Sequence, residues 1–145
     1  MSNFLYINLI TFLSIIGIAL LLFFYVFTLY QCLNLISQES RAIKPWTVWL
    51  IFVPLFGILW TFYVVTKIAK SLHTESRKRN LQINKIDQGQ ILGFAYAGFN
   101  LMSFIFPSGQ RLTVLVISSM FWIAYWVVLW QQIKILKKSS PQVQA

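Results

Sequence analysis

The chain has 145 residues, of which 58% are apolar, 17% aromatic and only 10% charged, and it carries a net charge of +9. That mix lies well outside a soluble globular domain and places the chain among membrane proteins. No second stretch is polar enough to build a soluble catalytic domain with its own core, so one unit is expected.

Residues 4–36 contain no charge and are mostly apolar. The run is too long for a signal-peptide core and has no basic residue before it, so it reads as a retained helix. At about 1.5 Å per residue it reaches roughly 50 Å against a hydrocarbon core of about 30 Å, so it must tilt, kink or protrude. The part expected to protrude is 31–38, where Gln31, Asn34 and Gln38 share one face and Leu33 and Ile36 another. That end lies at the membrane interface, packs on a partner, or covers the mouth of its own bundle. Cys32 is the single cysteine; it excludes an internal disulfide and reads as a soft filler near a helix end.

A second span is predicted over 46–66, with its helix continuing to about residue 72. Arg41 and Lys44 precede it, Pro45 opens it, and Trp46 and Trp49 sit at the interface. Pro54 falls inside the run, where it removes the hydrogen bond to the Leu50 carbonyl and crowds that turn. The expectation is a kink whose freed carbonyl is taken by Thr28 or Gln31. With Gly57 as its soft point, the kink is either a hinge or a fixed bend.

The stretch from Glu39 to Leu72 carries Glu39, Arg41, Ile43, Pro45, Trp46, Val48-Trp49-Leu50, Pro54-Leu55-Phe56-Gly57, Trp60 and Phe62. Val64-Val65, Lys67-Ile68-Ala69 and Ser71-Leu72 follow, and Gly89–Tyr96 continues the pattern. Together these resemble a family of uncharacterised small bacterial membrane proteins with four spans and a Pro-x-x-Val-Trp-Leu-x-x-x-Pro-Leu-Phe-Gly-x-x-Trp block in the second. Here Trp46 stands where a glycine follows the proline in that family. The resemblance implies the four-span layout and names no activity.

Spans three and four are predicted over 90–106 and 112–133, joined by a tight turn at Pro107-Ser108-Gly109-Gln110. That turn sets Trp126 at the depth of Leu92 and Gly93. Gly89, Gly93 and Ala97 form a small-residue ridge, and Trp122, Trp126 and Trp130 recur at i+4 on the next helix. The ridge either packs within the chain against those rings or dimerises with another copy, leaving the tryptophans to line a groove. Asn100 and Ser103 extend the ridge and are expected to hydrogen-bond a neighbouring helix.

The fold class that follows is all-α: an integral membrane four-helix bundle of antiparallel hairpins. Its single domain over 1–138 has helices at about 4–36, 46–72, 89–106 and 111–136, with a disordered tail at 139–145. Four spans place Lys67, Lys70, Arg77, Lys78, Arg79, Lys85, Lys134, Lys137 and Lys138 on one side, and Arg41, Lys44 and Arg111 on the other. The positive-inside rule then makes both termini cytoplasmic, in a bacterial inner membrane.

No ionisable residue falls inside the four spans, which argues against a proton or ion pump. The carboxylates are Glu39, Glu75 and Asp87, so an acid–base pair on one loop could come only from the last two. His73 is the single histidine and reads as solvated, with no companions for a metal set. No cofactor motif is present. Lys67, Lys70, Arg77, Lys78, Arg79 and Lys85 form the basic cytoplasmic loop, suited to anionic lipid headgroups or an acidic partner. The loop has no aromatic platform for nucleic acid or a nucleotide.

The expected partners are membrane lipids, a second copy of the chain, or a cytosolic or membrane protein. Two functions follow: a non-enzymatic accessory or scaffold subunit docking a partner through that loop, or a self-assembling channel or membrane effector. The absence of a continuous polar face favours the scaffold.

Overall fold

The computed structural model describes residues 2–53, 55–83 and 85–139. It contains α1 (Ser2–Leu35), a 3-10 turn (Gln38–Ser40), a 3-10 segment (Pro45–Phe52), α2 (Phe56–Lys78), α3 (Ile86–Met102) and α4 (Ser108–Ser139), with no strand among the described residues. Two helices are long and apolar enough to cross a membrane, α1 over Tyr6–Leu35 and α4 over Ser108–Ser139.

The predicted helix over 46–72 is broken between Phe52 and Phe56. Pro45 opens a 3-10 segment at its first turn. Leu55 then adopts φ 62° and ψ −53°, a region that a right-handed helix cannot pass through and that costs a non-glycine residue about 1–3 kcal/mol. The kink predicted at Pro54 falls on a residue outside the described ones. Its neighbours form a reversal in which the Gly57 N–H donates back to the Val53 carbonyl at 2.7 Å.

Past the reversal, α2 runs back along the 3-10 segment. Trp60 Nε1 donates to the Thr47 carbonyl at 2.9 Å, and the Ala42 N–H donates to Ser71 Oγ at 2.8 Å. At Gly57 the contact is closest, because a Cβ there would lie 2.0 Å from the Ile51 carbonyl oxygen. From Gly57 to Ser71 the hairpin covers about 21 Å at 1.5 Å per residue.

This return stroke reverses the expected direction of α2. The Ser37 N–H donates to Glu75 Oε1 at 3.2 Å, and Arg79 donates to the Leu35 carbonyl at 3.2 Å, so the C-terminal ends of α1 and α2 lie together. The two helices are parallel and do not form the antiparallel pair predicted for spans one and two. The reason is reach: residues 36–53 are partly extended and partly 3-10, which rises about 2.0 Å per residue, and they travel along the hairpin before α2 begins.

Helix α4 is also parallel to α1, with Trp126 Nε1 donating to Thr28 Oγ1 at 3.0 Å and Tyr25 edge-on to Tyr125 at 6.4 Å. Helix α3 alone runs the other way, since Ser118 Oγ donates to the Tyr96 carbonyl and Gln132 Nε2 to the Lys85 carbonyl. The start of α1 and the end of α4 therefore lie at opposite ends of the bundle, which corrects the placement of both termini on one side. The predicted third helix, to residue 106, ends earlier, at Met102, and Pro107 accepts at the start of α4 from Gln110 and Arg111. The tail predicted over 139–145 lies outside the described residues from 140 onward, and Ser139 belongs to α4.

The elements close into a ring: α1 packs on the 3-10 segment, that segment on α2, α2 on α3, α3 on α4 and α4 on α1. Tyr25, Leu29, Leu33, Ile68, Leu72, Tyr125 and Leu129 fill its interior. The ridge of Gly89, Gly93 and Ala97 is buried inside the ring. A Cβ on Gly93 would come 2.7 Å from Val65 and 3.4 Å from Tyr125, and one on Gly89 would come 3.2 Å from Val128.

The residues of α4 opposite the ridge are thus Tyr125, Val128 and Gln132, one helical step from the predicted tryptophans. Trp122 and Trp126 turn toward Tyr25 of α1, and Trp130 is exposed beneath Lys134. Ser103 bonds the Asn100 carbonyl of its own helix, where a bond to a neighbouring helix is predicted.

Gly57→Ala tests the reversal. The added methyl meets backbone that cannot yield, so a loss of about 1–3 kcal/mol or more is expected as a lower thermal midpoint. Gly98→Ala, where nothing lies within 4 Å, should leave the midpoint unchanged or raise it. Equal behaviour of the two variants rules the close approach out.

Candidate functional site

Parallel packing of α1, α2 and α4 gathers the charges at one end of the bundle. Of the 12 Lys and Arg, all but Arg111 lie in the half of the bundle toward which α1, α2 and α4 run, from Lys67 midway along α2 to the helix ends. Arg41 and Lys44 belong to this group, which corrects their predicted place on the far side. Arg111 stands alone at the other end, its guanidinium over the Phe104 ring at 5.6 Å.

The end of α1 sets this region up. A helix leaves its last four carbonyls without intrahelical donors. Arg41 donates to the carbonyls of Ile36 (2.8 Å) and Asn34 (3.0 Å), and Arg79 takes that of Leu35. The Ile36 N–H reaches the Leu33 carbonyl. All four are satisfied, three of them by cations placed favourably at the negative end of the helix dipole.

Arg79 is held in turn by Glu75, one turn earlier on α2, at 2.5 Å. Glu75 is fully buried and also accepts from Ser37 Oγ at 2.6 Å and from the Ser37 N–H. Burial alone would push its carboxyl up, but the bonds from Ser37, Ser40 and Arg79 outweigh it and hold the group below the usual carboxylate range. Arg79 also donates to Ser139 Oγ at the end of α4. One ion pair therefore ties α1, the 3-10 turn, α2 and α4 together. Helix α2 then stops in a reversal at Asn80, φ 52°, with Leu81 N–H bonded to Ser76 and Asn80 N–H to Arg77.

The other basic side chains divide by partner. Lys78 pairs with Glu39 and holds its exposed carboxyl below the usual range. Lys85 donates to Gln131, while Lys67 and Lys134 lie over the rings of Tyr63 and Trp130. His73, read as solvated, pairs with Asp87 at 2.8 Å across α2 and α3. Glu75 and Asp87, the pair offered for acid–base work, are not brought together: one is buried with Arg79 and the other is exposed beside His73. On the 67–85 stretch only Lys70 and Arg77 have no side-chain partner among the described residues.

Among the described residues no group of His, Cys, Asp or Glu has the arrangement of a metal set. Cys32, Leu33 and Ile36 are buried in the core, while Asn34 and Gln38 are exposed, so the polar end of α1 covers its own bundle. A half-open cavity of about 220 Å³ lies near the tip of the hairpin, between Leu22 and Val26 of α1, Phe52, Gly57, Thr61 and Asn100. The sequence reading missed the Glu75 node. Its Glu-x-x-x-Arg spacing was visible, but the Ser37 contact was not. No protein-family model, curated protein or solved structure matches the chain.

Removing one partner of a buried ion pair costs about 3–5 kcal/mol, so Arg79→Ala should lower the thermal midpoint far more than Lys134→Ala. The pH dependence has a definite sign. The folded carboxyl of Glu75 titrates below its unfolded value of about 4.3, so its stabilisation is present above that pH and is lost as pH falls through the lowered folded value. Thermal unfolding at pH 7 and pH 3 should show a larger drop in the wild type than in Glu75→Gln. Parallel drops rule the node out as the source.

Proposed function

We propose that the chain is a non-enzymatic accessory protein of the bacterial inner membrane that presents its basic end to the cytoplasm and docks an acidic or anionic partner there. The observation that carries this reading is the gathering of every Lys and Arg except Arg111 at one end of an otherwise apolar bundle. Cytoplasmic segments retain positive charge, so that end faces inward.

In this placement α1, α3 and α4 cross the bilayer, and the 3-10 segment with α2 forms a re-entrant hairpin from the cytoplasmic side. The hairpin's roughly 21 Å falls short of a hydrocarbon core of about 30 Å, which fits a segment that enters and returns. Irregular backbone at that depth is tolerated where protein packs against it, and α1 and α2 both pack on the 3-10 segment, with Val48 buried between them. The uncharged run of α4 over 112–133, between Arg111 and Lys134, covers about 33 Å and matches the core thickness. The first residues of α4 then face outward and its end inward.

The packed interior of the ring supports a scaffold over a channel. Tyr25, Leu29, Ile68 and Leu129 are almost fully buried where a path through one chain would run. A pore would need several copies.

Single cysteines in a Cys32→Ser background test the placement with a membrane-impermeant thiol reagent. Lys44→Cys should be labelled only in inverted vesicles, and Gly109→Cys in intact spheroplasts. Labelling of Lys44→Cys from outside overturns the re-entrant arrangement and restores four spans. Dye release from liposomes carrying the purified protein above the protein-free rate overturns the non-conducting reading.

A further inference from the structure

Lys70 and Arg77 are two turns apart on α2, exposed, and without side-chain partners among the described residues. They line one cleft of about 540 Å³ with Thr66, His73, Thr74 and Gln90, in the groove between α2 and α3. The spacing 66, 70, 73, 77 puts these residues on a single helical stripe. Two unpaired cations two turns apart, with the Gln90 amide lining the same cleft, suit the oxygens of a phosphate ester.

Away from the basic end the facing sides of α2 and α3 turn apolar. Phe62 and Phe94 stack between the two helices at 6.1 Å, and Leu59 on α2 and Ile91 on α3 are more than 60% exposed. Of the two carboxylates nearby only Asp87 bears on an anion in the cleft, and its single charge is outweighed by those of Lys70 and Arg77. Asp87 is engaged by His73, and Glu75 is buried on the inner side of α2 with Arg79.

We propose that this groove is a binding site for one anionic glycerophospholipid. The phosphodiester lies between Lys70 and Arg77, with Gln90 as a further donor, and an acyl chain lies along Phe62, Phe94 and Ile91. The apolar continuation is what selects a lipid over a soluble phosphate, and the lack of a stacking ring beside the cations disfavours a nucleotide. This inference rests on the membrane placement proposed above.

The test reconstitutes the full chain with equal phosphatidylglycerol and phosphatidylcholine and reads retained lipid by native mass spectrometry. The wild type should keep one phosphatidylglycerol per chain with a preference of about tenfold over phosphatidylcholine, the order expected for one or two charge-assisted contacts. The double variant Lys70→Gln, Arg77→Gln should bring that preference close to one, while Lys134→Gln should keep it. Equal loss in Lys134→Gln overturns the site in favour of diffuse charge attraction. Displacement of the lipid by millimolar inorganic phosphate overturns it in favour of a soluble phosphate site.

Both replaced side chains are exposed, so the double variant should keep the wild-type circular dichroism spectrum. Lys70→Gln alone serves if it does not, with an intermediate preference expected and an unchanged one overturning the site. Vesicle flotation separates the membrane placement from the lipid site. A wild-type chain that fails to float overturns the membrane placement and the lipid site with it. A floating double variant with unchanged lipid preference overturns the lipid site alone.

Discussion

The end of α1 is the constraint from which the rest of the arrangement follows. A long apolar helix that stops inside a protein must find donors for its last carbonyls, and the chain supplies them from two arginines far apart in sequence. Arg41 comes from the residues just after the helix and Arg79 from the end of α2. For Arg79 to arrive there, α2 must finish beside α1, and for that the chain must first travel back along the length of α2. The 3-10 segment is that return. Its eight residues are a long run for a 3-10 helix, and the greater rise per residue is what lets so few cover the distance.

Glu75 bears on the register of α2 against α1. A buried ion pair is weak evidence for stability, because desolvation offsets much of its attraction. Its stronger effect is on alternatives: a one-turn slip of α2 along α1 would separate Ser37 from Glu75 and leave a buried carboxylate partly unsatisfied. Apolar packing of Leu29, Leu33, Ile68 and Leu72 alone would tolerate such a slip far better, since one aliphatic side chain replaces another at little cost. The polar node therefore fixes register, and the apolar interior supplies bulk.

The helical class was legible in the sequence, as were the runs of apolar residues that become α1 and α4 and the small-residue ridge on α3. Directions were not. Hydrophobic periodicity reports that a segment is a helix and which faces are apolar; it is silent on which way the next segment points. Residues 36–55 read as a short loop followed by the start of a helix, because nothing in Pro45-Trp46-Thr47-Val48 signals 3-10 geometry and Leu55 is an unlikely residue for φ 62°.

The tryptophan stripe failed for a related reason. Trp122, Trp126 and Trp130 do share a face, but small residues on α3 admit whichever ring the backbone rotation presents. Tyr125 and Val128 occupy that rotation. At the basic end, the six charges on the 67–85 stretch looked equivalent in sequence. They became distinct once four of them had partners.

That distinction decides what the basic end can do. Charge counted from sequence predicts a broadly attractive surface, and such attraction is screened within about 10 Å at ordinary ionic strength. Charges already held by Glu75, Glu39, Gln131 or an aromatic ring contribute to that diffuse field but cannot close on a ligand without giving up an existing contact. Lys70 and Arg77 carry no such cost. They also stand where the charged end meets exposed apolar side chains of α2 and α3, so a ligand that satisfies both must be anionic at one end and apolar at the other. A purely electrostatic partner would use the cations and leave Ile91 and Leu59 exposed. A purely apolar one would cover those side chains and leave two cations unsatisfied.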